Sequence, residues 1–132
     1  MAFVYDLIAI KQDGKVVSIV KPNTSIQLYA DLDWWPILTF STEYLVEDMD
    51  TGQIVLQQSA GINVITGLSY YNWTSPAKAG NYRFYPDSSD INSYADFSVT
   101  NTGVENGSLF TPKNILILAG AALAALLLSG RD

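Results

Sequence analysis

Ser25-Ile26-Gln27-Leu28-Tyr29-Ala30-Asp31-Leu32-Asp33 is the stretch on which the fold turns. Ile26, Leu28, Ala30 and Leu32 fall on one side of an extended chain, and Gln27, Tyr29, Asp31 and Asp33 on the other. The segment therefore predicts a strand with one face in a core and one in water. Trp34-Trp35-Pro36 ends it, because proline cannot donate to a sheet ladder and restricts the residue before it.

Working outward, the same pattern recurs at short intervals. Upstream, Ala2 to Ile10 and Val16 to Val20 are joined through Gln12-Asp13-Gly14-Lys15. There Asp-Gly supplies the positive φ angles of a tight hairpin. Downstream, Ile37 to Glu47 reads as a strand with Leu38, Phe40, Tyr44 and Val46 on its inner side. It turns at Asp48-Met49-Asp50-Thr51-Gly52 into Gln53 to Gln57. Ile62 to Ile65, Leu68 to Thr74, Asn81 to Tyr85 and Tyr94 to Thr100 complete about eight or nine strands, a spacing that fits a sandwich or barrel. No helical periodicity precedes the tail.

Pro76-Ala77-Lys78-Ala79-Gly80-Asn81-Tyr82-Arg83-Phe84 resembles the Gly-x-Tyr entry to the penultimate strand of immunoglobulin-like and fibronectin-like sandwiches. The resemblance covers Ser25 to Thr100 and implies a tyrosine corner at Tyr82. The expected fold class is accordingly all-β, a two-sheet antiparallel immunoglobulin-like β-sandwich, with one C-terminal transmembrane or stem helix. A fold of this kind implies no activity of its own.

Composition narrows the chemistry. The chain carries a net charge of −6, and most of its acids lie in the β region, so phosphate backbones are repelled and no nucleic-acid partner is expected. With no Cys and no His, a disulfide, a thiolate nucleophile, an imidazole base and the usual zinc sites are excluded. Met1-Ala2-Phe3-Val4-Tyr5-Asp6 enters a strand directly, without the basic and apolar regions of a secretory signal, so synthesis in a cytoplasm is the expectation.

The tail divides the chain into a β domain over 1–102, a linker over 103–111, an apolar helix over 112–129 and a polar end at 130–132. Thr111-Pro112 fits an N-cap followed by proline at the first helical position, and Gly130 fits the C-terminal cap. From Ile115 to Leu128 the residues are apolar without interruption. A helix from Pro112 to Ser129 is roughly 27 Å long at about 1.5 Å per residue, slightly short of a ~30 Å hydrocarbon layer. It has no polar stripe, so it must be enclosed, either by lipid or by other helices. Ile115, Leu116, Leu118 and Leu127 are its expected contacts with lipid or neighbouring helices. Gly120 with Ala124, and Ala121 with Ala125, form small-xxx-small pairs that invite close helix packing and a homo-oligomer.

Candidate sites in the β region are few. Asp48-Met49-Asp50-Thr51-Gly52 starts like a calcium loop, but Gly52 stands where a third ligand belongs, so a hairpin turn is expected and no metal or other cofactor. Asp87-Ser88-Ser89-Asp90-Ile91-Asn92 reads as a loop. Glu43 and Glu47 share a strand face but lie roughly 13 Å apart, beyond the reach of paired glycosidase carboxylates, so no catalytic residue is assigned. Trp34, Trp35, Tyr71 and Trp73 are the candidate partner contacts, as large rigid rings that give area at little entropic cost. Alternation lets only one of Trp34 and Trp35 point inward if the stretch stays extended, and Trp35 is the better candidate contact because it lies in a turn.

Three functional expectations follow, all non-enzymatic. The layout is similar to minor structural proteins of membrane-containing phages. That implies a virion protein whose helix sits in the membrane and whose β domain touches capsid or spike proteins. A cell-surface adhesion or carbohydrate-binding module with a C-terminal anchor is a second, and a lipid-free spike, fibre or filament subunit bundled through its Ala-rich helix a third.

Overall fold

The computed structural model describes residues 3–102 with their side chains. The helix expected over 112–129 lies outside these described residues, and with it the contacts assigned to Ile115, Leu116, Leu118, Gly120, Ala121, Ala124, Ala125 and Leu127. Nine strands form within the described part: β1 Val4–Gln12, β2 Lys15–Val17, β3 Ile19–Val20, β4 Ser25–Trp34, β5 Ser41–Asp48, β6 Ile54–Gly61, β7 Leu68–Thr74, β8 Gly80–Tyr85 and β9 Ala95–Val99. They make an all-β, two-sheet fold. One sheet runs β2-β1-β4-β7 and the other β3-β9-β8-β5-β6.

The alternation of β4 sets the inner face of the first sheet. Ile26, Leu28, Ala30 and Leu32 are all buried, and antiparallel neighbours β1 and β7 place Ile10 and Tyr71 on either side of Leu28. The second sheet answers with Tyr44, Val46, Tyr82, Phe84, Phe97 and Val99. Tyr44 meets Phe84 edge-on at 4.8 Å between ring centroids, and Tyr82 stacks on Phe97 at 5.5 Å, both within the range of favourable aromatic pairs.

A polar bond crosses this interior. The hydroxyl of Tyr44 on β5 donates to Oγ of Ser69 on β7 at 2.7 Å, with both residues buried. Burial drives the Tyr44 pKa upward, and the bond to Ser69 offsets only part of the rise. At the base of β8 the Tyr82 hydroxyl donates to the carbonyl of Lys78, four residues upstream, at 2.6 Å. That is the geometry of a tyrosine corner.

Turn chemistry explains most connections. Asp13 and Gly14 both take positive φ, 53° and 78°, closing the β1–β2 hairpin as expected of Asp-Gly. In the β5–β6 turn Asp48 Oδ1 accepts the amide of Asp50 at 2.9 Å, and Oδ2 takes the ammonium of Lys78 at 3.0 Å. The turn is thereby tied to the β7–β8 loop. That hydrogen bond from Lys78 is the main reason the Asp48 carboxyl titrates below its ordinary range.

Three expectations are corrected. The strand assigned to Ile37–Glu47 begins only at Ser41, and Leu38 and Phe40 are exposed instead of inward. The Pro36 carbonyl accepts the amide of Thr39, so the chain is in a turn there and alternation does not apply. Asn63–Thr66 is likewise a turn, with Ile62 alone bridging to Ser69, because the Asn63 side chain takes the amides of Ile65 and Thr66. The segment Val16–Val20 breaks at Ser18: β2 stays with β1, whereas β3 joins the other sheet parallel to β9.

Tyr44→Phe should cost about 1–3 kcal/mol in urea unfolding, since it strands a buried Ser69 hydroxyl. Combining Tyr44→Phe with Ser69→Ala should recover most of that loss; additive losses would show that the bond does not couple the sheets. Asp48 gives a pH signature. Its folded pKa is depressed, so its contribution is present above the unfolded pKa, near pH 4, and is lost as pH falls through the folded value. Urea midpoints should drop on acidification below about pH 4, and Asp48→Asn should flatten that drop.

Candidate partner-contact surface

The β4–β5 turn is built on backbone that strains one residue. Leu38 sits at φ 64°, in the third position of the Pro36–Thr39 turn, where glycine or asparagine is favoured. A leucine there costs roughly 1–2 kcal/mol in local strain. Its side chain gains nothing from the core in return, being 80% exposed, with Ile37 at 91% and Phe40 at 62%.

The β6–β7 turn lies against it. Ile62 donates its amide to the Phe40 carbonyl at 2.8 Å, and Leu32 donates to the Gly67 carbonyl at 2.9 Å. Gly67 has φ 78°, and a Cβ on it would meet the Leu32 oxygen at 2.5 Å and the Trp35 ring at 2.8 Å. Glycine is therefore required twice over, for its backbone angle and for the seat it leaves for Trp35. The Asn63 carboxamide and the Gly67 amide bond to the Asn63 carbonyl hold the turn closed. Closed in this way, it points Ile65, 90% exposed, and Val64 outward.

Two further segments reach the same end of the fold. The β8–β9 loop is anchored to the start of β5, where Thr42 Oγ1 donates to the Pro86 carbonyl at 2.6 Å and Ser88 Oγ donates to the Glu43 carboxylate at 2.6 Å. Side-chain hydrogen bonds, from Ser88 first and then from Gln57 on β6, hold the Glu43 carboxyl below its ordinary range. The loop presents Ile91 to solvent. The start of β1 brings Tyr5, whose hydroxyl is buried without a partner among the described residues. Burial raises its pKa, with Asp87 and Asp90 adding to the rise.

The result is one end of the β domain with exposed Ile37, Leu38, Phe40, Val64, Ile65 and Ile91. Between Trp34 and Phe40, and between Ile62 and Leu68, no residue is charged. Asp33, Glu43, Asp87 and Asp90 stand around it. Strand β9 runs away from this end.

The aromatic candidates separate. Trp34, 40% exposed, borders the apolar end, whereas Trp35 is half-buried over Gly67; the ring in the turn is the more covered of the two because glycine opens a seat for it. Tyr71 and Trp73 face inward from β7 and pack against the core. Trp73 pairs with Ile26, eight positions along β4 from Trp34, which is roughly 27 Å of strand. The four rings therefore make no single platform. Ile37, Val64 and Ile65 were not legible as surface residues by alternation; the uncharged run on either side of Pro36 was the available signal.

No protein-family model matches the chain, and no curated protein matches it.

Gly67→Ala should destabilise the β domain by about 2–4 kcal/mol, whereas Leu38→Asn should raise its stability by about 1 kcal/mol, a shift of a few degrees in melting temperature. Thermal unfolding by circular dichroism reads both. A destabilised Leu38→Asn protein would mean that the leucine packs within the domain.

Proposed function

We propose that this chain is a non-enzymatic structural protein of a larger assembly, anchored through its apolar C-terminal segment and seated against a neighbouring structural protein through the apolar end of its β domain. The setting that best joins these features is the virion of a membrane-containing phage, with residues 112–129 as a helix in the membrane. The finer fold assignment belongs to the same proposal: an immunoglobulin-like or fibronectin-like sandwich, supported by the strand orders of the two sheets and by the Tyr82 hydroxyl bond to Lys78.

The observation that carries the reading is the ordered, uncharged end formed by the β4–β5 and β6–β7 turns. Exposed aliphatic side chains on turns pinned by backbone hydrogen bonds lose little conformational freedom on contact, which favours binding. Their clustering marks an interaction surface rather than scattered surface leucines. The surrounding carboxylates disfavour an anionic lipid surface and suit a protein with a polar or basic rim.

Ile37→Asp combined with Ile65→Asp should leave the melting temperature unchanged, because both side chains are already in water, while reducing incorporation of the protein into the assembly by about tenfold or more. Incorporation is read by quantifying the protein in purified particles. Undiminished incorporation would overturn the proposal. A photoreactive residue at position 65 should cross-link to another structural protein; labelling of lipid alone would do the same damage.

A further inference from the structure

Among the described residues, each sheet has one open edge in the same stretch of chain. β6 ends the second sheet, β7 ends the first, and the two are joined by the Asn63 turn, with Asn63 donating to the Leu68 carbonyl at 2.8 Å. From Thr51 through Ala77 there is no Asp, Glu, Lys or Arg. Natural edges are usually blunted by lysine, proline or a bulge. β6 has neither charge nor proline, and its one irregularity lies near its start, opposite Val46 and Glu47.

Register fixes which backbone groups stand open. Ile62 donates to Phe40, and Thr42 lies opposite Ala60 and Tyr44 opposite Gln58. Hydrogen bonding alternates along an antiparallel pair, so Ala60 and Gln58 turn their peptide groups toward β5. Gln57, Ser59 and Gly61 turn theirs outward. Ile54, Val55, Gln57, Gln58 and Ser59 are all exposed.

We infer that β6 is the seam of a homodimer, in which two copies pair their β6 strands antiparallel about Gln57 and join their second sheets into one. This pairing sets Gln57 opposite Gln57 and Leu56 opposite Gln58, so each face of the seam is self-complementary, as a two-fold interface requires. The outward peptide groups of Gln57 then bond to each other across the axis.

Charge selects a second copy as the occupant. The domain is strongly acidic, and a basic partner would be drawn to its carboxylates, not to a neutral edge. An identical acidic body has the opposite need, and β6 lets it approach without facing carboxylates. The nearest acids on this side, Glu43 and Glu47, sit one strand inward on β5. Across the seam they lie three strand spacings from their counterparts, about 14 Å, which exceeds the ~8 Å screening length of physiological salt. The seam centres on Gln57, away from the turns of the apolar end.

The test uses the full chain in neutral detergent, followed by sedimentation equilibrium and by hydrogen exchange. Wild type should be dimeric, with the amides of Gln57 and Ser59 protected. Gln57→Lys puts two ammonium groups opposite each other at the axis, and Ser59→Pro removes an outward amide that β5 does not use. Each should weaken the dimer about tenfold or more and expose the remaining outward amides, with the far-ultraviolet circular dichroism of the β domain retained. A monomeric wild type would overturn the inference. So would self-association that survives both variants, or amides at 57 and 59 that exchange as freely as those of the turns.

Discussion

The hydroxyl of Tyr44 is buried between two sheets where a phenol without a partner would cost about 1–3 kcal/mol, and Ser69 across the interior is what satisfies it. That requirement constrains much else. Ser69 is inward only if β7 pairs with β4 in the register that sets it beside Ala30, and Tyr44 is inward only if Ser41 begins β5 as it does. The same β5 register places Val46 beside Phe84 and Asp48 within reach of Lys78. A slip of one residue in either strand would turn its whole inner face outward, and would leave the other strand's hydroxyl buried without its partner.

With the interior settled, the surface sorts by chemistry. Where β4 and β6 give way to turns, aliphatic residues are exposed on backbone that side-chain and main-chain hydrogen bonds hold still. Carboxylates are concentrated on the remaining strands and loops: Asp96 binds the Arg83 guanidinium at 2.6 Å, and Glu47 accepts the Tyr85 hydroxyl at 3.0 Å. The edges formed by β6 and β7 carry no charge. The acidic body thus carries one apolar end and one uncharged side, and the two differ in chemistry.

Much of the architecture was legible in local pattern. The alternation through Ile26, Leu28, Ala30 and Leu32 identified an inner face, Asp13-Gly14 identified a tight hairpin, and Gly80-Asn81-Tyr82 identified the strand whose tyrosine reaches back to Lys78. These signals depend on the residues themselves: side-chain period, allowed φ and hydrogen-bonding reach. The lack of Cys and His removed several kinds of chemistry for the same reason.

The exposed apolar end was not legible in that way. Leu38 and Phe40 have the right parity for a core, and Ile62 to Ile65 the right composition for a strand. Only long-range pairing decides that β5 starts at Ser41 and that Asn63 closes a turn against it. Trp35 lies in a turn yet is half-buried, because Gly67, more than thirty positions away, leaves the seat for its ring. The shift of β3 from one sheet to the other likewise follows from the arrival of β9 beside it. Periodicity reports which side of an extended segment is apolar; whether the segment is extended, and what stands opposite, is settled by the rest of the chain.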